Sequence, residues 1–164
     1  MRANLAHPSS IVPCPGEIQI GSRLIPNYDK FSLGSVPLLG AFAQSCNTTF
    51  AHLASQMGPS DLAYQAAAMG LGGVYDIPGL ANVSGSVPIA PDIVARSEDG
   101  FGQGKVLVTP FGMALAAATV AAGKTPVPRL IAGTETSQTG ENPPVDPVVL
   151  DGLRSMMRHP SAVT

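Results

Sequence analysis

Apolar residues along this chain fall into short, separate runs. The first clear one is Glu17-Ile18-Gln19-Ile20, an alternation with period two that resumes at Arg23-Leu24-Ile25 after Gly21-Ser22. Alternation marks a half-buried strand, and Gly-Ser between two such runs suits a type II′ hairpin turn. Val12-Pro13-Cys14-Pro15-Gly16 precedes it as a Pro-Gly stop.

From Val36 the period lengthens. Val36, Leu38, Leu39, Phe42 and Ala43 fit a short helix. Phe50, Leu53, Ala54 and Met57 then stand at i, i+3, i+4 and i+7, one face of a second helix. Gly58-Pro59 ends it, because Gly accepts a left-handed cap and Pro cannot continue the ladder. Ser60 is placed to cap a third helix through about Met69, with Asp61 near its positive end. Residues 73–105 read as loops with short strands. So long an irregular stretch is either functional or leans on something outside it.

Thr109-Pro110 opens the best helix signal: a capping Thr, then Pro where no hydrogen bond is lost. This helix runs to about Ala122 and stops at Gly123, and its small side chains predict burial. Asp146-Pro147 repeats the start signal. The stripe Val149, Leu150, Leu153, Met156 and Met157 follows, with Arg154 and Arg158 toward the helix end.

Composition narrows the class. The 164 residues suit one domain, and 45% hydrophobic against 12% charged excludes disorder. Eighteen glycines and sixteen prolines argue for many turns rather than a long-helix bundle. A net charge of -2 without basic clusters excludes nucleic acid as a partner. The longest apolar run, Met113–Ala122, is too short to span a bilayer, so no transmembrane segment is expected. The first residues lack an apolar signal core, so no export signal is expected in this sequence. Two cysteines, Cys14 and Cys46, match no CxxC pattern. They permit one disulfide, but two free thiols explain the count equally well and are the expectation.

Candidate chemistry is sparse. His7, His52 and His159 are isolated and fit no metal motif, and no cofactor fingerprint is present. No serine lies in G-x-S-x-G. Two N-x-[ST] triplets, Asn47-Thr48-Thr49 and Asn82-Val83-Ser84, are of the kind that arises by chance. Ser45-Cys46-Asn47 remains. Alone, it reads as a polar joint between two helices, with Asn47 or Thr48 capping the second.

Its neighbours add a second meaning. The order VPCPGEIQIGSR, NYDKFSLGSVPLLGAFAQSCNTTFAHLA, GLGG and GFGQGKVLVTPFGMALAAATVAAGKTPVPRLI resembles the transpeptidase domain of class B penicillin-binding proteins. Within that family it looks most like the MecA-like lipoprotein type. The resemblance runs from about Val12 to Arg158, and the closing HPSAVT departs from it. It implies a serine-type D,D-transpeptidase that cross-links peptidoglycan by acyl transfer from a D-Ala-D-Ala donor, and that β-lactams acylate. It implies three motifs: S-x-x-K with the nucleophile, S-x-N, and K-[ST]-G on a strand lining the site. By position, Ser45 would relay a proton toward the leaving amine. Asn47 would donate its amide to a carbonyl of the stem peptide or β-lactam, and Cys46 would point elsewhere.

The other two motifs are absent from these residues. Asn27, Gly102 and Ala121 stand three before Lys30, Lys105 and Lys124, so no S-x-x-K exists. Lys124-Thr125-Pro126 is a solvated loop, not K-T-G. The expectation is therefore the central part of a transpeptidase domain, residues 1–164, beginning after S-x-x-K and ending before K-T-G. Its fold class would be α+β, predominantly helical, with the family's five-stranded sheet incomplete. Apolar surface would be partly exposed and stability marginal, and the chain alone would be inactive. The alternative is a non-catalytic protein on the same scaffold that binds peptidoglycan or a partner. The family works outside the cytoplasmic membrane, whereas this sequence, without an export signal, would stay in the cytoplasm.

Overall fold

Four two-stranded antiparallel ladders and six α-helices make up the residues that the computed structural model describes, 5–139 and 142–158. His159 and the closing HPSAVT lie outside them. Strand β1 (Ile11–Cys14) pairs with β4 (Gly34–Pro37), Val12 facing Val36. Between them in sequence, β2 (Glu17–Ile20) and β3 (Arg23–Pro26) form the hairpin read from the alternation. Gly21 takes a φ of 55° there, the positive value that the first turn position needs.

After β4 come α1 (Leu38–Ala43) and α2 (Asn47–Ser55), as the lengthened period predicts. Leu38 and Ala41 enter a core with Val12, Cys14, Cys46 and Met156, and the hairpin residues Ile20 and Ile25 pack on Ala51 of α2. Phe42 and Phe50 meet edge to face across the α1–α2 joint, ring centroids 6.2 Å apart.

One expectation fails in this core: Cys14 and Cys46 are not free thiols. They form a disulfide across a separation of 32 residues, with Cα atoms 6.2 Å apart. Sequence spacing carried no sign of it, because the pairing depends on β1 lying beside the α1–α2 joint. Both cysteines are fully buried, where a disulfide packs as an apolar group.

Helix α3 (Asp61–Ala68) follows, with Ser60 before it. The Ser60 side chain makes no cap bond; Asp61 Oδ2 instead accepts the Gly58 N–H at 2.8 Å. The supposed loop 73–105 also needs correction. It holds α4 (Ile93–Gly100), whose start is fixed by Asp92, Oδ1 accepting the Ala95 N–H at 2.9 Å. Helix α4 lies against α2, and Gly100 makes that approach possible: a Cβ there would run into the Cβ of Ala54. Short strands complete the region. β5 (Val74–Asp76) pairs with β8 (Ser137–Thr139), and β6 (Gly85–Ser86) with β7 (Leu107–Val108).

Helix α5 (Pro110–Ala122) has the predicted bounds. Thr109 Oγ1 accepts the Gly112 N–H at 3.0 Å, and Gly123 closes the helix at a φ of 82°. Its expected burial holds for one face only: Leu115, Thr119 and Val120 are buried, but Met113 is 52% exposed. Helix α6 (Pro147–Arg158) seats Leu150 and Met156 inward. Its Arg154 donates to the carbonyls of Val120 and Ala121 at 2.8 and 3.1 Å, satisfying the C-terminal end of α5.

The architecture is α+β with small, incomplete sheets: no ladder exceeds two strands among the described residues. Large apolar side chains, including Ile11, Leu107 and Val148, stay open to solvent. No helix of the described residues is long and apolar enough to cross a membrane.

Candidate functional site

The Ser45-Cys46-Asn47 joint is a helix stop followed at once by a helix start. Gln44 closes α1, and Ser45 takes the left-handed conformation at a φ of 55°. Its N–H donates to Phe42 O at 3.0 Å, and that of Cys46 to Ala41 O at 2.9 Å. Those two bonds are a Schellman motif, the ending in which glycine normally supplies the positive φ. Serine bears the left-handed cost here, on the order of 1 kcal/mol. Cys46 then turns inward to Cys14, which leaves Ser45 exposed and Asn47 half-buried on either side.

The start of α2 is capped from outside. Neither Asn47 nor Thr48 caps it, contrary to the sequence reading: Cys46 holds the cap position and Asn47 is the first helical residue. Asn27, buried just after β3, accepts the Thr48 N–H through Oδ1 at 3.0 Å. Its amide donates to Pro15 O and Phe31 O, each at 2.9 Å. Thr48 and Thr49 donate their hydroxyls to Pro15 O and Pro13 O at 2.8 and 2.7 Å. With both threonines 1% exposed, the Asn47-Thr48-Thr49 triplet is a packing device, not a glycan acceptor. The prolines of the 12–16 segment leave carbonyls unpaired, and the joint's threonines and Asn27 satisfy them.

Beside the joint lies an open cavity of about 290 Å³ with Asn47 on its wall. Tyr28 stands at its edge, 85% exposed. Leu24, Ile25 and Phe101 give it an apolar bed. Arg23 of β3 and Glu98 of α4 face each other there at 3.0 Å. The turn after α4 carries Phe101 and Gln103 into the wall, and buried Asp99 holds that turn, its Oδ1 accepting the Lys105 N–H at 2.6 Å. Sequence reading missed this wall because α4 was read as loop; the Asp92 cap was the available signal.

The three positive-φ residues other than glycine among the described residues are Asp29, Lys30 and Ser45. All lie in the two segments that meet around Asn27 and Asn47. Strained backbone of this kind persists only where the surroundings enforce it, and it gathers at functional sites. Neither Ser45 nor Asn47 has a side-chain hydrogen bond among the described residues, so both polar groups remain available to a ligand. The other sequence candidates do not join them. Lys124 is exposed, and His52 pairs with Gln56, ring Nε2 to amide at 2.8 Å. No group of metal-ligating side chains forms among the described residues.

Comparison with known proteins gives the family of this fold. The family model for the penicillin binding protein transpeptidase domain matches residues 1–162. The peptidoglycan D,D-transpeptidase PbpA of Mycobacterium tuberculosis is 32% identical over 115 residues, which cover 68% of this chain and 23% of that protein. The solved structure of penicillin-binding protein A from M. tuberculosis, as an imipenem acyl-enzyme, superposes with a TM-score of 0.77 at 27% identity, covering 93% of this chain and 38% of that one. PBP2 of Pseudomonas aeruginosa shares the fold, with a TM-score of 0.80 at 23% identity over 95% of this chain and 38% of that one. The chain therefore spans less than half the length of these relatives.

Proposed function

The chain belongs to the penicillin-binding protein transpeptidase family, and from that premise we propose that it contributes the S-x-N part of a peptidoglycan D,D-transpeptidase domain. Ser45 relays a proton to the leaving amine, and Asn47 donates its amide to a carbonyl of a stem peptide or β-lactam. The carrying observation is the joint itself. Ser45 and Asn47 present unpaired polar groups, Asn47 on the wall of an open cavity, on a backbone fixed by a disulfide and a buried hydrogen-bond network.

Residues 1–164 hold neither S-x-x-K nor K-[ST]-G. A positioned proton relay contributes roughly 10²–10⁴ in rate, but without a nucleophile there is no acyl-enzyme to form. The 164 residues alone are therefore inactive in this reading, and the domain boundaries lie within a longer catalytic unit. Such a unit works at the cell envelope. The buried disulfide favours an oxidising compartment over the cytoplasm expected from the sequence alone.

Two measurements with fluorescent penicillin test the proposal. The 164-residue chain should give no covalent adduct by mass spectrometry; an adduct at any serine overturns the inactivity. A polypeptide carrying this chain between an S-x-x-K and a K-[ST]-G segment should acylate, and Asn47→Ala should slow it at least tenfold. Acylation indifferent to Asn47 removes its role. Peptidoglycan-peptide binding with no acylation there points to the non-catalytic alternative.

A further inference from the structure

Asn47 sits between two neighbours that are each pinned from outside the joint. Cys46, on one side, is bonded to Cys14. Thr48, on the other, donates its N–H to Asn27 Oδ1 at 3.0 Å. Asn27 is itself held from every side. Its N–H donates to Gly16 O at 2.9 Å, and its carbonyl accepts the Lys30 N–H at 3.1 Å. Its amide donates to Pro15 O and Phe31 O, each at 2.9 Å. With Oδ1 and both amide protons engaged and the residue 2% exposed, the carboxamide has one orientation. Turned over, it would set an N–H against the Thr48 N–H.

A local cap would have served the helix as well. The residue before a helix ordinarily supplies it from its own side chain. Here that residue is Cys46, whose sulfur is committed to the disulfide and makes no cap bond. Importing the cap from Asn27 fixes the start of α2 against the segment after β3, which a local cap would not do. Ser45 lies beyond this clamp: its N–H bonds to Phe42 O, as part of the ending of α1.

We propose that Asn27 is a positioning residue for Asn47. By holding the Thr48 N–H it sets the backbone from which the Asn47 carboxamide reaches a substrate carbonyl, and it leaves the Ser45 hydroxyl to α1. A hydrogen bond weakens steeply once its donor is misdirected, so a small turn of this backbone suffices. The proposal rests on the reading that Asn47 contacts substrate, and it adds a residue outside the three motifs. Asn27 acts through Asn47, and no bond to it forms or breaks in the reaction.

Acylation by fluorescent penicillin, in the polypeptide that carries all three motifs, is the test. Asn27→Ala should slow it roughly three- to tenfold, part of what Asn47→Ala loses, because the contact is misplaced and not removed. In an Asn47→Ala background the same change should have no further effect. In a Ser45→Gly background it should cost the same factor as in the parent. Asn27→Asp keeps the acceptor for Thr48 and should acylate close to the parent rate, although it is no more stable than the alanine variant. All variants are compared under conditions where urea unfolding shows them folded. Where alanine does not fold, Asn27→Ser, whose hydroxyl stops short of Thr48, takes its place. Equal slowing in every background, an aspartate variant as slow as alanine, or no slowing at all overturns the positioning role, and an effect of Asn47→Ala then leaves the reading of Asn47 intact. Acylation indifferent to Asn47→Ala overturns both.

Discussion

Asn27 accepts the Thr48 N–H at 3.0 Å across 21 residues of sequence, so the first turn of α2 is capped by a side chain that follows β3. The same carboxamide donates to Pro15 O and Phe31 O. One buried residue thus joins the hairpin, the proline segment and the Ser45–Asn47 joint.

Asn27→Ala should cost about 2–3 kcal/mol, since it strands the Thr48 N–H and the Phe31 carbonyl in the interior. Pro15 O keeps the Thr48 hydroxyl, which limits the loss. Asn27→Asp retains the cap acceptor but turns a carboxylate on two carbonyls, so it should be no better than alanine. Urea unfolding of the three chains settles the order. An aspartate variant as stable as the parent would mean that the two donations contribute nothing.

The disulfide acts on the same joint. Closing a 32-residue separation lowers the entropy of the unfolded chain, worth roughly 3–4 kcal/mol in the loop-entropy account. Unfolding in a dithiol reductant should therefore shift to clearly lower urea, and Cys14→Ser with Cys46→Ser should reproduce the shift without reductant. Coincident midpoints for oxidised and reduced chain would refute this.

What the sequence made legible divides by range. The hairpin at Gly21, the Thr109-Pro110 start and the Gly123 stop are local signals, and each is where the pattern put it. The α1–α2 joint was also legible, because its periodicity breaks at polar residues. The disulfide, the Asn27 cap and the cavity wall were not, since each depends on segments 20 or more residues apart meeting in space. Helix α4 was hidden for another reason: its Gly, Pro and Ser surroundings mask a short amphipathic turn that stands through packing on α2. The catalytic roles proposed for Ser45 and Asn47 rest on the resemblance, and the structure supplies their surroundings.

The α2–α4 contact can be tested at Gly100. An alanine in a helix ordinarily stabilises by up to about 1 kcal/mol over glycine. Here its Cβ meets that of Ala54, so Gly100→Ala should instead destabilise by about 1–3 kcal/mol. Ala54→Gly should recover part of that loss, giving a favourable coupling in a double-mutant cycle. Additive effects would show that the helices do not meet at these residues.

Ser45 offers the sharpest separation of fold from chemistry. Its φ of 55° in a Schellman ending suits glycine, so Ser45→Gly should hold or raise stability, by up to about 1 kcal/mol. Ser45→Val should lower it, because a β-branched side chain tolerates that conformation least. If serine is kept for its hydroxyl, the glycine variant should unfold at equal or higher urea yet lose the proton relay in a polypeptide that carries all three motifs. That relay loss corresponds to roughly 10²-fold or more in acylation. A glycine variant that is both less stable and equally reactive would show that Ser45 serves the joint and not the reaction.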